Sequence, residues 1–353
     1  MTDSANTVLI TGNQGYIGAE LTRYLRDRSY GVVGLDTMYY TECHGSSNAV
    51  GATKQIVKDI RDLAPNELDG VRAVVHLAGL SNDPLGDLSP ALTQEINHVA
   101  SVKLARFAKE REVERFIFAS SCSVYGIAAT DCALSETSPI RPVTEYAKSK
   151  ALVERDVGAM ADARFHPVFL RNATVYGPSS RLRLDLLVNN LLAWACASGK
   201  IMVMSDGTPW RPLLHISDFC QAVLAVLEAP LSKVSNQIFN VGRNEDNLRV
   251  SEVAEIVRRT VPGTTVEILS RVSSDERTYR VNFDKITGAL PHFKPVHTVH
   301  GGIEQLYRDY LRLGLVKEDL DAPRFFRVRW MKHLMATGRL NKELRWTTEC
   351  EPA

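Results

Sequence analysis

The sequence predicts an α/β fold, a doubly wound parallel sheet followed by a smaller C-terminal lobe. Three observations predict it. Short β-branched runs alternate with amphipathic stretches through the first half, the β-α-β rhythm of a parallel sheet covered by helices on both faces. A glycine-rich turn joins the first run to the first helical pattern. After about Tyr176 the rhythm breaks at the turn cluster Gly177-Pro178-Ser179-Ser180, and the remainder is too short and irregular for a second doubly wound domain.

In chain order, buried strands are expected at 7–11, 31–36, 71–77, 115–120 and 168–171, with helices at 17–28, 89–109 and 145–160. The second half suggests a helix over 184–198, strands at 237–241 and 265–269, and helices at 250–260 and 299–313. The resulting division is a dinucleotide-binding domain at 1–175, a lobe at 176–313 with some strands returning to the sheet, and a helical tail at 314–353. In the tail, 324–333 (RFFRVRWMKH) mixes basic and aromatic residues. It reads as a surface helix packing its aromatics on the second lobe, with a membrane-surface or partner-binding helix as the alternative.

A chain of 353 residues has length for about two domains. Its 42 Lys+Arg against 41 Asp+Glu give a formal charge of +1, no footprint for a polyanion, so nucleic acid is not an expected partner. No apolar run is longer than 191–197, far short of the ~20 residues that span a bilayer, and the opening MTDSANTVLITG has no export pattern. Six cysteines (Cys43, Cys122, Cys132, Cys196, Cys220, Cys350) are scattered without a Cys-x-x-Cys spacing. The expectation is a cytoplasmic protein with no membrane, disulfide or metal site.

The first strand runs into Gly12-Asn13-Gln14-Gly15-Tyr16-Ile17-Gly18. Glycines at this spacing let backbone and a helix N-terminus approach a pyrophosphate. Asp36 ends the second strand, eighteen residues after Gly18 and close to the spacing of a carboxylate that binds an adenosine ribose. A carboxylate there accepts from the 2′-hydroxyl of NAD and repels the 2′-phosphate of NADP, and no arginine follows in Thr37-Met38-Tyr39-Tyr40. NAD is the expected cofactor. Tyr146 and Lys150, at i and i+4 of a helix, share a face. An ammonium beside a phenol is expected to lower its pKa towards acid/base use. The strand-end run Ala119-Ser120-Ser121-Cys122-Ser123-Val124-Tyr125-Gly126 offers a serine hydroxyl to a substrate oxygen.

Together these motifs resemble the extended short-chain dehydrogenase/reductases, in their nucleotide-sugar epimerase/dehydratase branch, from about Val8 to Tyr310. The resemblance also rests on His76-Leu77-Ala78-Gly79, Asn97, Leu170-Arg171 and Val175-Tyr176-Gly177-Pro178. It implies a Rossmann sheet, NAD and a nucleotide-diphosphate-sugar substrate. Ser121, Tyr146 and Lys150 would be catalytic. Gly12, Gly15, Tyr16, Ile17, Gly18, Asp36, Asp59, Ile60, Leu77, Ala78, Gly79 and Ser120 would hold the cofactor with Tyr146 and Lys150. For Asn97, a role at the site and a helix bend fixed through backbone hydrogen bonds both stand. The resemblance further implies a homodimer through 89–109 and 145–160.

On the substrate side the resemblance points to Asn189 and Asn190, and to Arg211 and Arg277 as forked donors to a diphosphate. Ser81, Cys122, Ser123, Asn172 and Thr174 are expected to line the sugar pocket. The chain also departs from its relatives. Where 4,6-dehydratases carry an acid pair, it has Cys122 and Ser123, which disfavours dehydration. Ser81 stands where UDP-galactose epimerases have lysine, Pro212-Leu213 where they have Asp-Tyr, and Thr174 where they have asparagine. The expected activity is epimerisation of a nucleotide-diphosphate sugar, at C4, through a transient ketosugar. The alternatives are a ketosugar reductase or dehydrogenase and, less favoured by the intact triad, a non-enzymatic NAD-binding protein.

Overall fold

The computed structural model describes residues 6–45, 51–86, 89–128, 132–269 and 277–347. Asp275 and Glu276 beside Arg277, Cys350 and the end of the tail lie outside the described residues. The strands are β1 (Thr7–Thr11), β2 (Gly31–Asp36), β3 (Lys54–Val57), β4 (Ala73–His76), β5 (Arg115–Ser121) and β6 (His166–Asn172). They are followed by β7 (Thr174–Tyr176), β8 (Lys200–Val203), β9 (Trp210–His215), β10 (Gln237–Val241), β11 (Asn247–Arg249) and β12 (Thr265–Ile268). The main helices are α1 (Tyr16–Arg26), α2 (Ala100–Glu110), α3 (Glu145–Gly158), α4 (Leu187–Ser198), α5 (Ile216–Glu228), α6 (Val250–Thr260), α7 (Val299–Leu313) and α8 (Arg327–Ala336).

Seven strands form one sheet in the order β10-β6-β5-β4-β1-β2-β3, and every pairing is parallel. This is the Rossmann-like α/β fold. Alternation along the strands decides the two faces. Val8 and Ile10 of β1 enter one core with Val32, Ile117 and Leu170 and with α1 and α5. Leu9 enters the other with Leu35, Val74, Phe116 and Phe118 and with α2 and α3. Strand order reverses between β1 and β4, so their C-terminal ends open the crevice where such sheets bind ligands. The edge strand β3, which the periodicity does not flag, is Lys-Gln-Ile-Val with neither end residue buried.

The expected helix at 89–109 is not continuous. A turn at Pro90–Thr93 leads into a π-helical segment, Gln94–Val99, before α2. The wide turn holds Asn97, whose amide accepts from Leu80 N (2.7 Å) and donates to Leu80 O (3.1 Å) and Ser149 Oγ (3.4 Å). Asn97 thus ties the loop after β4 to α3, a positioning role.

A lobe stands over the strand ends. It is built from β7-β9-β11, the β8-β12 pair and helices α4, α6 and α7 around a third core of Val188, Leu192, Ile201, Val257 and Leu306. β10 leaves this part of the chain to extend the main sheet beside β6. The tail corrects the sequence reading. Phe325 does join the lobe core, but Trp330, Met331 and Leu334 of α8 pack into the core of the main sheet. Among the described residues no helix is long and apolar enough to cross a membrane.

Candidate active site

A cavity of about 790 Å³ runs from the glycine turn across the ends of β1, β4, β5 and β6 to the lobe. The turn fits a dinucleotide. Gly12 has φ +74°, and a Cβ there would stand 2.8 Å from Ala78 N; one on Gly18 would stand 2.1 Å from Gly12 O. Backbone therefore fills the space that side chains would take, and Gly15 opens α1 without a side-chain cap, leaving its N–H groups for a ligand. Asp36 lines the cavity and accepts from Gln14 N (2.9 Å) and Met38 N (2.7 Å). Burial raises its carboxyl above the usual range against these two backbone bonds. Tyr16, Ile17, Asp59, Ile60, Leu77, Ala78, Gly79 and Ser120 line the same cavity, although the Ser120 hydroxyl is committed to Glu154 Oε1 at 2.5 Å. Beneath the cradle, His76 bridges Thr11 Oγ1 and Ser101 Oγ, each at 2.6 Å, and burial pushes its pKa down to about 3, so it is neutral.

Ser121, Tyr146 and Lys150 converge in the cavity. Thr144 caps α3 by accepting from Ala147 N, which sets Tyr146 on the first turn and Lys150 one turn on. Lys150 Nζ donates to Ala119 O at 2.7 Å and stands 5.4 Å from the centre of the Tyr146 ring. Burial pushes this ammonium down to about 7, opposed by the Glu154 carboxylate. The expected lowering of the Tyr146 pKa is not found. Burial, then the Asp83 carboxylate, pushes it up to about 12, against the hydrogen bond from Ser121. Lys150, itself near its titration point and turned to a carbonyl, does too little to reverse this.

On the substrate side, Ser81, Ser123, Asn172, Thr174, Asn190, Arg211 and Arg277 line the cavity. Arg211 donates to the backbone oxygen of Arg277, and Arg277 pairs with Asp83, which also accepts from Thr144. Two expectations fail. Cys122 is turned into the core, its thiol donating to Arg171 O at 3.2 Å with burial raising its pKa, so it does not line the pocket. Asn189 is fully buried; it accepts from Gly177 N and donates to the Tyr16 hydroxyl and Arg183 O. It does not line the cavity.

The sequence reading missed Asp83, Arg183, Asp185 and Arg327, all on the cavity wall. Arg183 pairs with Asp185 (2.9 Å), which also accepts from Asn82 Nδ2 (2.9 Å). Burial alone would raise the Asp185 carboxyl, but Arg183 and Arg327 hold it below the usual range. The signal was the charged pair in Arg-Leu-Arg-Leu-Asp, set in an otherwise apolar helix entry.

Residues 8–242 match the model of the NAD dependent epimerase/dehydratase family. The UDP-glucose 4-epimerase of Neisseria meningitidis serogroup C is 27% identical over 283 residues, 71% of this chain and 80% of that protein. Among solved structures, TunA, an NAD-dependent NDP-hexosamine 5,6-dehydratase involved in tunicamycin biosynthesis, superimposes with a TM-score of 0.77 at 26% identity, covering 87% of this chain and 98% of its own. MoeE5 in complex with UDP-glucuronic acid and NAD gives 0.76 at 26% identity, covering 87% and 99%. The glycine turn, Asp36 and the Ser-Tyr-Lys cluster occupy one crevice of a fold shared with NAD-bound proteins, and the chain belongs to the NAD-dependent epimerase/dehydratase family.

Proposed function

We propose that the protein epimerises a nucleotide-diphosphate sugar at C4 through a transient ketosugar, retaining its NAD. The observation that carries this reading is the convergence of Ser121, Tyr146 and Lys150 in a cavity whose dehydratase-type acid positions are a core-facing thiol and a serine. The other carboxyl group near Tyr146, Asp83, is committed to Arg277 and Thr144 as an acceptor. Relatives at 27% identity described as UDP-glucose 4-epimerases support the same reading.

When bound, NAD⁺ supplies a reversible hydride acceptor and a positive charge. Tyr146 Oη takes the proton of the substrate hydroxyl and later returns it, while Ser121 Oγ orients that oxygen. Lys150 holds the cofactor side, and the positive charge near the phenol comes with the cofactor. Arg211 and Arg277 grip the diphosphate by forked bonds, leaving the sugar free to turn before it is reduced on its other face. A homodimer through α2 and α3 is part of this proposal, read out by sedimentation.

The test follows C4 configuration by NMR with UDP-, GDP-, CDP- and TDP-sugars and no added cofactor. Inversion without net NADH is expected, and Tyr146→Phe should lower turnover by ~10²-fold or more while NAD still binds. A strict need for stoichiometric NADH with a ketosugar would make the protein a reductase instead.

A further inference from the structure

We propose that Arg327 binds the pyrophosphate of NAD, and that the C-terminal segment carrying it straps the cofactor into its cradle. The proposal rests on the cofactor of the family and not on which reaction the site performs. Arg327 opens α8 and lines the cavity, yet its side chain is 1% exposed and neither terminal nitrogen has a hydrogen-bond partner among the described residues. Its neighbours are the Tyr40 ring, 4.0 Å from the guanidinium carbon, and the buried Cys43 thiol, whose sulfur offers it a weak acceptor. A guanidinium carries five donors, and buried donors are almost always satisfied, so two idle nitrogens on a cavity wall point to a ligand acceptor.

The surroundings specify an anion. Arg181 and Arg183 are buried beside Arg327, and the Nε of Arg181 also has no partner among the described residues. The carboxylates that face this cluster are Asp36 and Asp185, and both are engaged. Asp36 accepts from Gln14 and Met38, Asp185 from Arg183 and Asn82. Three buried guanidiniums facing two occupied carboxylates leave positive charge that a diphosphate would neutralise with forked hydrogen bonds.

Location separates the cofactor's diphosphate from the substrate's. The field of Arg327 reaches Asp36, on the ribose side, and Tyr16, in the glycine turn. The other arginine pair, Arg211 and Arg277, is bound to itself and to Asp83 near Tyr146. The strap is anchored on the adenosine side as well. Leu184 N donates to Phe325 O (2.8 Å), Trp330 Nε1 to Tyr39 O (2.7 Å) and Trp346 Nε1 to Thr37 O (2.6 Å). Arg61 NH2 donates to Glu343 O (3.0 Å), and Arg345 pairs with Asp59 and Asp62. The tail therefore closes over the loop after Asp36 and the turn at Asp59, and cofactor release requires it to loosen.

The test uses the full-length protein stripped of nucleotide. NAD, ADP-ribose and UDP are titrated calorimetrically into wild type, Arg327→Met and Arg327→Lys, and the melting temperature of each is measured without ligand. Arg327→Met should bind NAD and ADP-ribose at least tenfold more weakly while UDP stays within twofold. Its unliganded melting temperature should not fall, because the substitution removes a buried guanidinium whose terminal nitrogens have no hydrogen-bond partner among the described residues, and methionine keeps the contact with the Tyr40 ring. Arg327→Lys, which keeps the charge but not the fork, should fall between the two. NAD affinity of Arg327→Met within twofold of wild type overturns the proposal. So does a loss confined to UDP, or a melting temperature that falls together with NAD affinity. If Arg327→Met does not fold, an Arg327→Lys that binds NAD like wild type overturns it. Wild type that binds NAD but epimerises no sugar nucleotide would defeat the proposed reaction and leave this inference standing.

Discussion

Glu154→Gln tests the polar network beneath the catalytic strand end. Glu154 and Arg171 have side chains 5% and 4% exposed and meet through three bonds of 2.7–3.2 Å. Glu154 also takes the Ser120 hydroxyl, and Arg171 donates to the Tyr125 hydroxyl (3.1 Å), which donates to Asn240 Oδ1 (2.7 Å). Glutamine keeps the shape but strands a buried guanidinium, a loss of about 3–5 kcal/mol. That lowers the melting temperature by roughly 4–7 °C for a chain of 353 residues. The second effect depends on pH. Burial holds Lys150 at about 7, far below an unfolded lysine, and Glu154 is the charge that opposes the shift. The folded state therefore binds fewer protons than the unfolded state from about pH 7 to the ordinary lysine value, and stability rises with pH through that window. Removing Glu154 lowers the folded pKa further and extends the window below 7, so the variant loses more at pH 6 than at pH 9. Scanning calorimetry at both pH values reads this directly. A drop under 2 °C, or equal drops at the two pH values, would refute the reasoning. Adding Arg171→Met, which removes the stranded charge, should restore part of the loss.

Asp36→Asn should weaken NAD by ~1.5–3 kcal/mol, the worth of a hydrogen bond to a charged group; wild type that binds NADP as tightly as NAD in the same titration would remove Asp36 from this role. Cys122→Ala should keep most turnover, because its thiol is turned into the core and donates to Arg171 O; complete loss in a folded variant would be the contrary result. Acid should destabilise the protein through His76 and His215, both held by burial at about 3. The unfolded chain takes up their protons below about 6.5 while the folded one does not, so stability falls with pH, by about 2 kcal/mol for each by pH 5. A urea midpoint unchanged between pH 7.5 and pH 5 would contradict this.

Local patterns made the main sheet legible. β1, β2 and β10 match the expected strands residue for residue, because each is an apolar run bounded by turn chemistry. The glycine turn and the Tyr146/Lys150 spacing were legible for the same reason. What the sequence hid was long-range pairing of polar groups. Asn189 reads as a ligand contact by position, but Tyr16 and Gly177 claim its amide across the fold. Asp83 acquires its meaning from Arg277, 194 positions away. The mixed composition of 324–333 suggested an outer surface, whereas the aromatics serve two cores and Arg327 turns inward. β3 was invisible because an edge strand with exposed ends has little apolar period to show.

The construction of the site holds the sheet-side groups and the lobe-side arginines differently. Tyr146 is bounded on three sides. α3 is capped by Thr144, a Cβ on Gly86 would stand 3.0 Å from the Tyr146 Cβ, and Ser121 faces the phenol across the cavity. Lys150 is tethered to the β5 backbone at Ala119, and the buried Glu154–Arg171 pair locks that strand end from below. These groups belong to the sheet and its packed helix, where a small displacement disturbs many neighbours. The lobe-side arginines are held differently. Arg211 rests on a carbonyl and Arg277 on Asp83, bonds that the diphosphate of the proposed substrate would replace with stronger ones. Substitutions at Ser81 or Thr174, on the same wall, should change which sugar nucleotide is accepted, read as a change in relative kcat/KM across the panel. Substitutions around Glu154 and Gly86 should instead lower turnover for every substrate alike. A variant of Thr174 that lowered all substrates equally would mean that the lobe-facing wall positions the reacting carbon itself.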